Sequence, residues 1–328
     1  MRIDLSFPDP DFAESFRAYS NYLTSLAQDI ERRYGANERM VGSVIERGWT
    51  VARDAGLRPR NNASERQAAA ASFNKAWSNL RRIDREVALG TEDFDDESNA
   101  WTPTQAYYAT YQAIRGLTAA MGQNVPADHR RVLSVISEQV RRGMLPEPWS
   151  VFCEGCPQTG TQRFGGVDHE PEVVHPLTNP DSETGVDRLA VLLRTTREKE
   201  LDRVFGEERR RNVAPGRKWK NLSAARKDEI ARRLHGTTVF DVLWRLRKKA
   251  HYEDADTFVL GAGGVADAYE FAWALGRVTD ASVAAIEGVL VGCVGVDHYR
   301  EMLDASRAIR RAEDGSPIQL RQRWAHSA

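Results

Sequence analysis

The 328-residue chain is 41% hydrophobic and 28% charged, with a formal net charge of −1. That is enough apolar material for one large domain or two ordinary ones. It holds no run of about eighteen apolar residues that would cross a bilayer, its three cysteines are too few for a disulfide framework, and "MRIDLSFPDPDFAESF" lacks the basic-then-apolar design of a secretory signal, so a cytoplasmic protein without membrane contact is expected.

Helical periodicity dominates from the start. "DFAESFRAYSNYLTSLAQDIERRYG" returns Phe12, Phe16, Tyr19, Leu23 and Ile30 to one face, and Gly35 supplies a stop. "ASERQAAAASFNKAWSNLRRIDREVALG" is a second helix, closed by Gly90, and the acidic "TEDFDDESNAW" is expected to be a loop. In "TPTQAYYATYQAIRGLTAAMG", Pro103 suits a first helical turn, and Tyr107, Tyr111, Ile114 and Met121 form a stripe expected to face a core. "PADHRRVLSVISEQVRRG" turns Val132, Ile136 and Val140 inward and its arginines outward.

Between 146 and 183 six prolines and several glycines forbid long helices. This irregular stretch carries Cys153, two residues, Cys156, twelve residues, His169, five residues, His175. The spacing satisfies a two-cysteine, two-histidine zinc set. Pro171 breaks the helix that a finger needs, which leaves a loop-built structural zinc site or a pair of reduced thiols with two solvated histidines. Cys293 is expected to be a small buried hydrophobe.

Helix resumes at "ETGVDRLAVLLRTTREKELDRVFGEERRRN" and at "LSAARKDEIARRLHG", with Ser223 as N-cap. "TTVFDVLWRLRKKAHYED" follows, capped by Thr237 or Thr238, then "VADAYEFAWALGRV" and the nearly all-apolar "ASVAAIEGVLVGCV". No strand of convincing length stands out, so the class is all-α. The glycines of "GAGGVA" (Gly261, Gly263, Ala266) match a dinucleotide fingerprint only if a strand precedes them. A turn before a helix is the expected reading.

Charge is unevenly spread. Residues 194 to 249 hold 18 Lys/Arg against 8 Asp/Glu, a basic block that could meet phosphate or an acidic protein surface. At about 100° per residue, Val239, Val242, Leu243, Leu246 and Ala250 share a buried face. Arg247 and His251 fall at its rim, four apart, and Arg245 points away from His251.

Together, "TQAYYATYQAIRGLTAAMG", "HRRVLSVISEQVRRGMLPEPW", "VFDVLWRLRKKAHYED" and "VADAYEFAWALGRVTDASVAAIEGVL" resemble the HEPN superfamily (higher eukaryotes and prokaryotes nucleotide-binding domain). Arg245, five residues and His251 match its arginine–histidine motif, although Leu246 stands where the family carries a polar residue. The resemblance spans about residues 64–148 and 236–295. It implies an HEPN-like helical bundle in two halves, 63–148 and 236–328, with an N-terminal helical extension (1–62), the Pro/Gly-rich insertion (149–183) and a basic helical segment (184–235). It further implies a metal-independent endoribonuclease acting as a homodimer, of the kind found among toxins and antiphage effectors. His251 would be general acid or base on the ribose 2′-hydroxyl, Arg245 or Arg247 would stabilise phosphate charge, and Lys248, Lys249 and Tyr252 would contact RNA. The "A-H-Y-E-D" context also resembles non-catalytic members that bind a protein partner, a nucleotide or nucleic acid.

Overall fold

The apolar run from 265 to 294 forms one helix, not two. The computed structural model describes residues 10–36, 38–60, 62–92, 94, 96–211, 221–306, 309 and 316–328; Arg217, Lys218 and Lys220 of the basic block lie outside the described residues. Helix α10 (Val265–Val294) is the central element. Against it pack α1 (Pro10–Tyr34), α2 (Glu38–Asp54), α3 (Ala63–Ala88) and α4 (Thr102–Ala120). Its small residues explain how so many neighbours fit. A Cβ on Gly288 would lie 2.5 Å from the Ile45 carbonyl oxygen and 2.7 Å from the Gly48 Cα, so α2 and α10 meet backbone to backbone.

The expected all-α class holds, and the expected faces are the buried ones apart from Phe12, which is half-buried in the first turn of α1. Phe16, Tyr19, Leu23 and Ile30 of α1 share one core with Phe73, Trp77 and Leu80 of α3, Tyr107 and Ile114 of α4 and most of α10. Helices α1 and α2, within the first 62 residues, are thus part of the same apolar interior. Helix α5 (His129–Arg141) buries Val132, Ile136 and Val140 as its periodicity requires. Gly35 and Gly90 end their helices at φ +85 and +72, a region that glycine enters without a Cβ clash.

The proline-rich stretch does contain strand structure. Strands β1 (Phe152–Glu154) and β2 (Arg163–Gly165) pair antiparallel, too short for any alternation to register in the sequence. Cys153 also exchanges both backbone hydrogen bonds with Thr237 (2.9 and 2.8 Å), which fastens the insertion to the start of α8. Trp149 is buried and donates to Ser282 Oγ on α10 at 2.8 Å.

The basic block folds as α6 (Gly185–Arg211), α7 (Ala224–Arg233) and α8 (Val239–Lys248). Much of its charge is spent internally. Arg197, 2% exposed, donates to the carbonyls of Gly155 (2.7 Å), His235 (2.8 Å) and Ala231 (2.8 Å), and so ties the insertion, α6 and the end of α7 together. The short α9 (Asp256–Val259) stands where a dinucleotide fingerprint needs a strand. The chain closes with α11 (Val296–Ala305) and α12 (Pro317–Ser327). Among the described residues, no helix is long and apolar enough to cross a membrane.

Candidate functional site

Helix α8 begins with a capping box. The Thr238 N–H and hydroxyl both donate to Asp241 Oδ2, at 2.8 and 2.9 Å, which satisfies donors at the first turn. Val239, Val242, Leu243, Leu246 and Ala250 are buried. The α geometry stops at Lys248. Residues Lys249–Glu253 form a π turn, closed by the Asp254 N–H donating to the Lys249 carbonyl at 2.8 Å. The Lys249 ammonium pairs with the Asp254 carboxylate, which also caps Thr257. A single π turn of this kind re-aims the side chains that follow it.

The two arginines lie within α8 itself, two residues and so about 200° apart around its axis. Arg247 is only 7% exposed and lies over four rings, those of Tyr107, Tyr108, Trp244 and Tyr252, at 5.0 to 5.6 Å. Its Nη2 donates to the hydroxyls of Tyr108 (3.2 Å) and Tyr252 (3.3 Å). No carboxylate among the described residues pairs with it, so the ring faces and phenolic oxygens provide its counter-charge. His251 is exposed. Its imidazole meets Tyr252 edge-on at 4.5 Å and lies 5.5 Å from the Trp101 ring. Tyr252 therefore joins Arg247 to His251. Tyr252 and Trp101 are 68% and 56% exposed, two large rings left in water next to one imidazole.

Arg245 turns the other way. Its Nη1 donates to Thr195 Oγ1 (2.8 Å) and Thr196 Oγ1 (3.1 Å) on α6, and its guanidinium lies over the Tyr19 ring. Lys249 also sits over Tyr19, and Lys248 is 4.0 Å from Glu253. Within one chain, the structure brings Arg247, Tyr252 and His251 together and sends Arg245 and Lys249 toward α1 and α6.

Two histidines that the sequence did not single out belong to this region. His129, at the first turn of α5, stacks on Trp244 at 4.8 Å and 25°. Burial, and then the Arg247 charge, hold it below its ordinary range. Burial likewise raises the Tyr107 phenol. The phenol keeps its proton, and its oxygen shares a hydrogen bond with His129 Nδ1 at 2.7 Å. His235 Nε2 lies 2.8 Å from Asp241 Oδ1. Burial pushes this imidazole down, but the Asp241 carboxylate outweighs it and the net shift is upward. A base raised above its unfolded value of 6.5 stabilises the fold fully below pH 6.5 and loses that contribution as pH rises through the folded value. Denaturation of wild type and His235→Gln at a series of pH values should therefore show their stability difference shrinking as pH climbs above neutrality. A difference that grows with pH would contradict the pairing.

The cysteine–histidine set is dispersed in this arrangement. Cys153 is buried on β1, and burial pushes its thiol up to about 12. Cys156 sits in a small apolar cluster with Leu201, Phe205 and Ile230 and donates to Gln158 Oε1 at 3.2 Å. His169 Nε2 is 3.0 Å from Asp187, and His175 Nδ1 accepts the Leu177 N–H at 3.3 Å. Among the described residues, no three His, Cys, Asp or Glu side chains are grouped to hold a metal. Cys293 is buried in α10, as expected.

No family model matches the chain, and neither a curated protein nor a solved structure matches it.

Proposed function

We propose that the protein is a metal-independent endoribonuclease of the HEPN type, acting on single-stranded RNA as a homodimer, with His251 as its acid–base group. The observation that carries this reading is the exposed His251 imidazole in contact with the exposed rings of Trp101 and Tyr252. Aromatic rings left in water beside cations are platforms on which unpaired bases stack, and an imidazole next to such rings is within reach of the sugar–phosphate of a stacked base. His251 takes the proton of the 2′-hydroxyl, the 2′-oxygen attacks phosphorus, and the 5′-oxygen leaves with a proton from the second copy of the motif. The products are a 2′,3′-cyclic phosphate and a 5′-hydroxyl. Arg247 sets a fixed positive charge beside Tyr252, and Lys248, over the Trp244 ring, adds a second cation nearby.

The ring cage around Arg247 favours a second reading. A guanidinium held by tyrosines serves equally well to hold a binding surface, so a non-catalytic module for nucleic acid, a nucleotide or a protein partner shares these residues. Incubation of the purified dimer with a mixed single-stranded RNA pool in chelator separates the two. Fragments ending in cyclic phosphate support the nuclease. Bound but intact RNA supports the module, and an intact pool that does not bind opposes both.

Structural zinc on Cys153, Cys156, His169 and His175 remains a separate proposal, resting on the spacing alone. It requires these side chains to converge from the positions described above. Elemental analysis of the purified chain should give about one equivalent if zinc is bound, and less than about a tenth of an equivalent would dispose of it.

A further inference from the structure

A cleft of about 310 Å³ opens between α5, α6, the end of α7 and α8. Its volume is at the small end of ligand sites, near the size of one nucleotide. Six cations line it (Arg130, Arg197, Lys199, Arg203, Arg245 and Lys248) against four carboxylates, with His235 in the wall. Neither His251 nor Arg247 lines it, so it is distinct from the ring platform.

The pairing within the cleft shows where the surplus charge lies. Arg203 is spent on Glu200 and Glu207, and Arg130 lies 3.7 Å from Glu200. Arg197 is held by backbone carbonyls, Asp241 is held by His235, and Lys248 leans weakly on Glu253. Among the described residues, Lys199 and Arg245 have no carboxylate partner. Two threonine hydroxyls fix the Arg245 guanidinium, and its Nε is buried without an acceptor. The net lining charge of two positives, concentrated on a lysine and a pre-oriented guanidinium, matches a phosphate monoester, which carries about two negative charges at neutral pH. A diester carries one.

We infer that this cleft is a phosphate-monoester site, taking the terminal phosphate of a nucleotide through Lys199 and Arg245. Like-charge crowding supports the assignment. Burial, and then Arg245, Lys249 and Lys248, hold the Lys199 ammonium below its ordinary range, a cost that a bound anion relieves. The shared chemistry has two sources, a free nucleoside monophosphate and a phosphorylated end of RNA.

Calorimetric titration at low salt, where exposed charges are least screened, tests the assignment. The probes are adenosine 5′-monophosphate, inorganic phosphate, adenosine, and short DNA oligonucleotides with and without a 5′-phosphate, which lack the 2′-hydroxyl needed for cleavage. Binding of the monophosphate but not of adenosine is expected, weakened at least about tenfold by Lys199→Glu and unchanged by His251→Ala. Tighter binding of the 5′-phosphorylated oligonucleotide than of the monophosphate would assign the site to an RNA end. The reverse order would assign it to a free nucleotide. Adenosine binding as tightly as adenosine 5′-monophosphate would overturn the monoester assignment, as would unaltered affinity in Lys199→Glu. Because His251→Ala retains this site, failure of the nuclease reading and failure of the cleft are separately visible.

Discussion

His251→Ala is expected to remove RNA cleavage, lowering the rate about 10²- to 10⁴-fold as loss of a general acid–base does, with helical content and oligomeric state unchanged. The side chain is exposed and makes ring contacts to Trp101 and Tyr252, so its truncation leaves the packed interior alone. Trp101→Ala should act differently. Loss of a stacked base costs about 1–3 kcal/mol, spent on binding, so KM rises about 5- to 150-fold while kcat stays close to wild type. Tyr252→Phe keeps the ring and removes one acceptor from Arg247, which should leave most activity. Arg245→Ala and Arg247→Ala divide the arginine question. A fall in kcat for Arg245→Ala alone requires the cation to reach the phosphate from the second chain, since within one chain it faces α6. Single-turnover cleavage of a defined RNA gives all of these values. If His251→Ala cuts as fast as wild type, His251 is not the acid–base group, and the binding-module reading stands in its place.

How much of this could be read from residues alone follows the range of the forces involved. Local signals were legible. The i, i+3, i+4 spacing of Phe16, Tyr19 and Leu23, the glycine stops at Gly35 and Gly90, the Ser223 cap (its Oγ accepts the Arg226 N–H at 3.3 Å) and the buried stripe of α8 all emerged as expected. What required the third dimension was not legible. The single helix α10 looks like two segments because Gly276 and Asp280 interrupt its apolar run, and only packing on both sides keeps it continuous. The cage around Arg247 draws on residues from α4, α8 and the π turn, and His129 reaches it from α5. His235 and Lys199 are single polar residues in a charged stretch, and nothing in their neighbours along the chain marks the cleft they line. A helix drawn straight through His251 placed it beside Arg247. The π turn puts Tyr252 between them, because an ion pair and a cap at Asp254 determine the path of the chain. Spacing likewise cannot say where a thiol points: Cys156 answers to the apolar cluster of Leu201 and Phe205.

Arg321→Ala should cost about 3–5 kcal/mol of stability, the penalty for stranding buried charges when one partner of a buried ion pair is removed. Arg321 is fully buried on α12. Its Nη1 lies 2.7 Å from Asp280 Oδ1 and its Nε 2.8 Å from Glu287 Oε2, both acids on the central helix and both buried. Trp77 of α3 donates its indole N–H to Glu287 Oε1, so one guanidinium organises three helices. Nearby, burial and then the Asp280 charge raise the Asp84 carboxyl to about 8. The sign of its pH dependence follows. An acid raised in the fold binds a proton that the unfolded chain has released, so wild-type stability falls as pH climbs from about 4 toward 8. Asp84→Asn should remove that slope, matching wild type near pH 4 and exceeding it at pH 8. Urea titrations at both pH values check the two variants together. Pairing Arg321→Met with Glu287→Met should recover part of the loss by replacing charge with apolar volume, leaving Asp280 as the one stranded acid. A loss below about 1 kcal/mol in Arg321→Ala would show that water reaches the cluster, and would remove this network from the account of what holds α12 to the core.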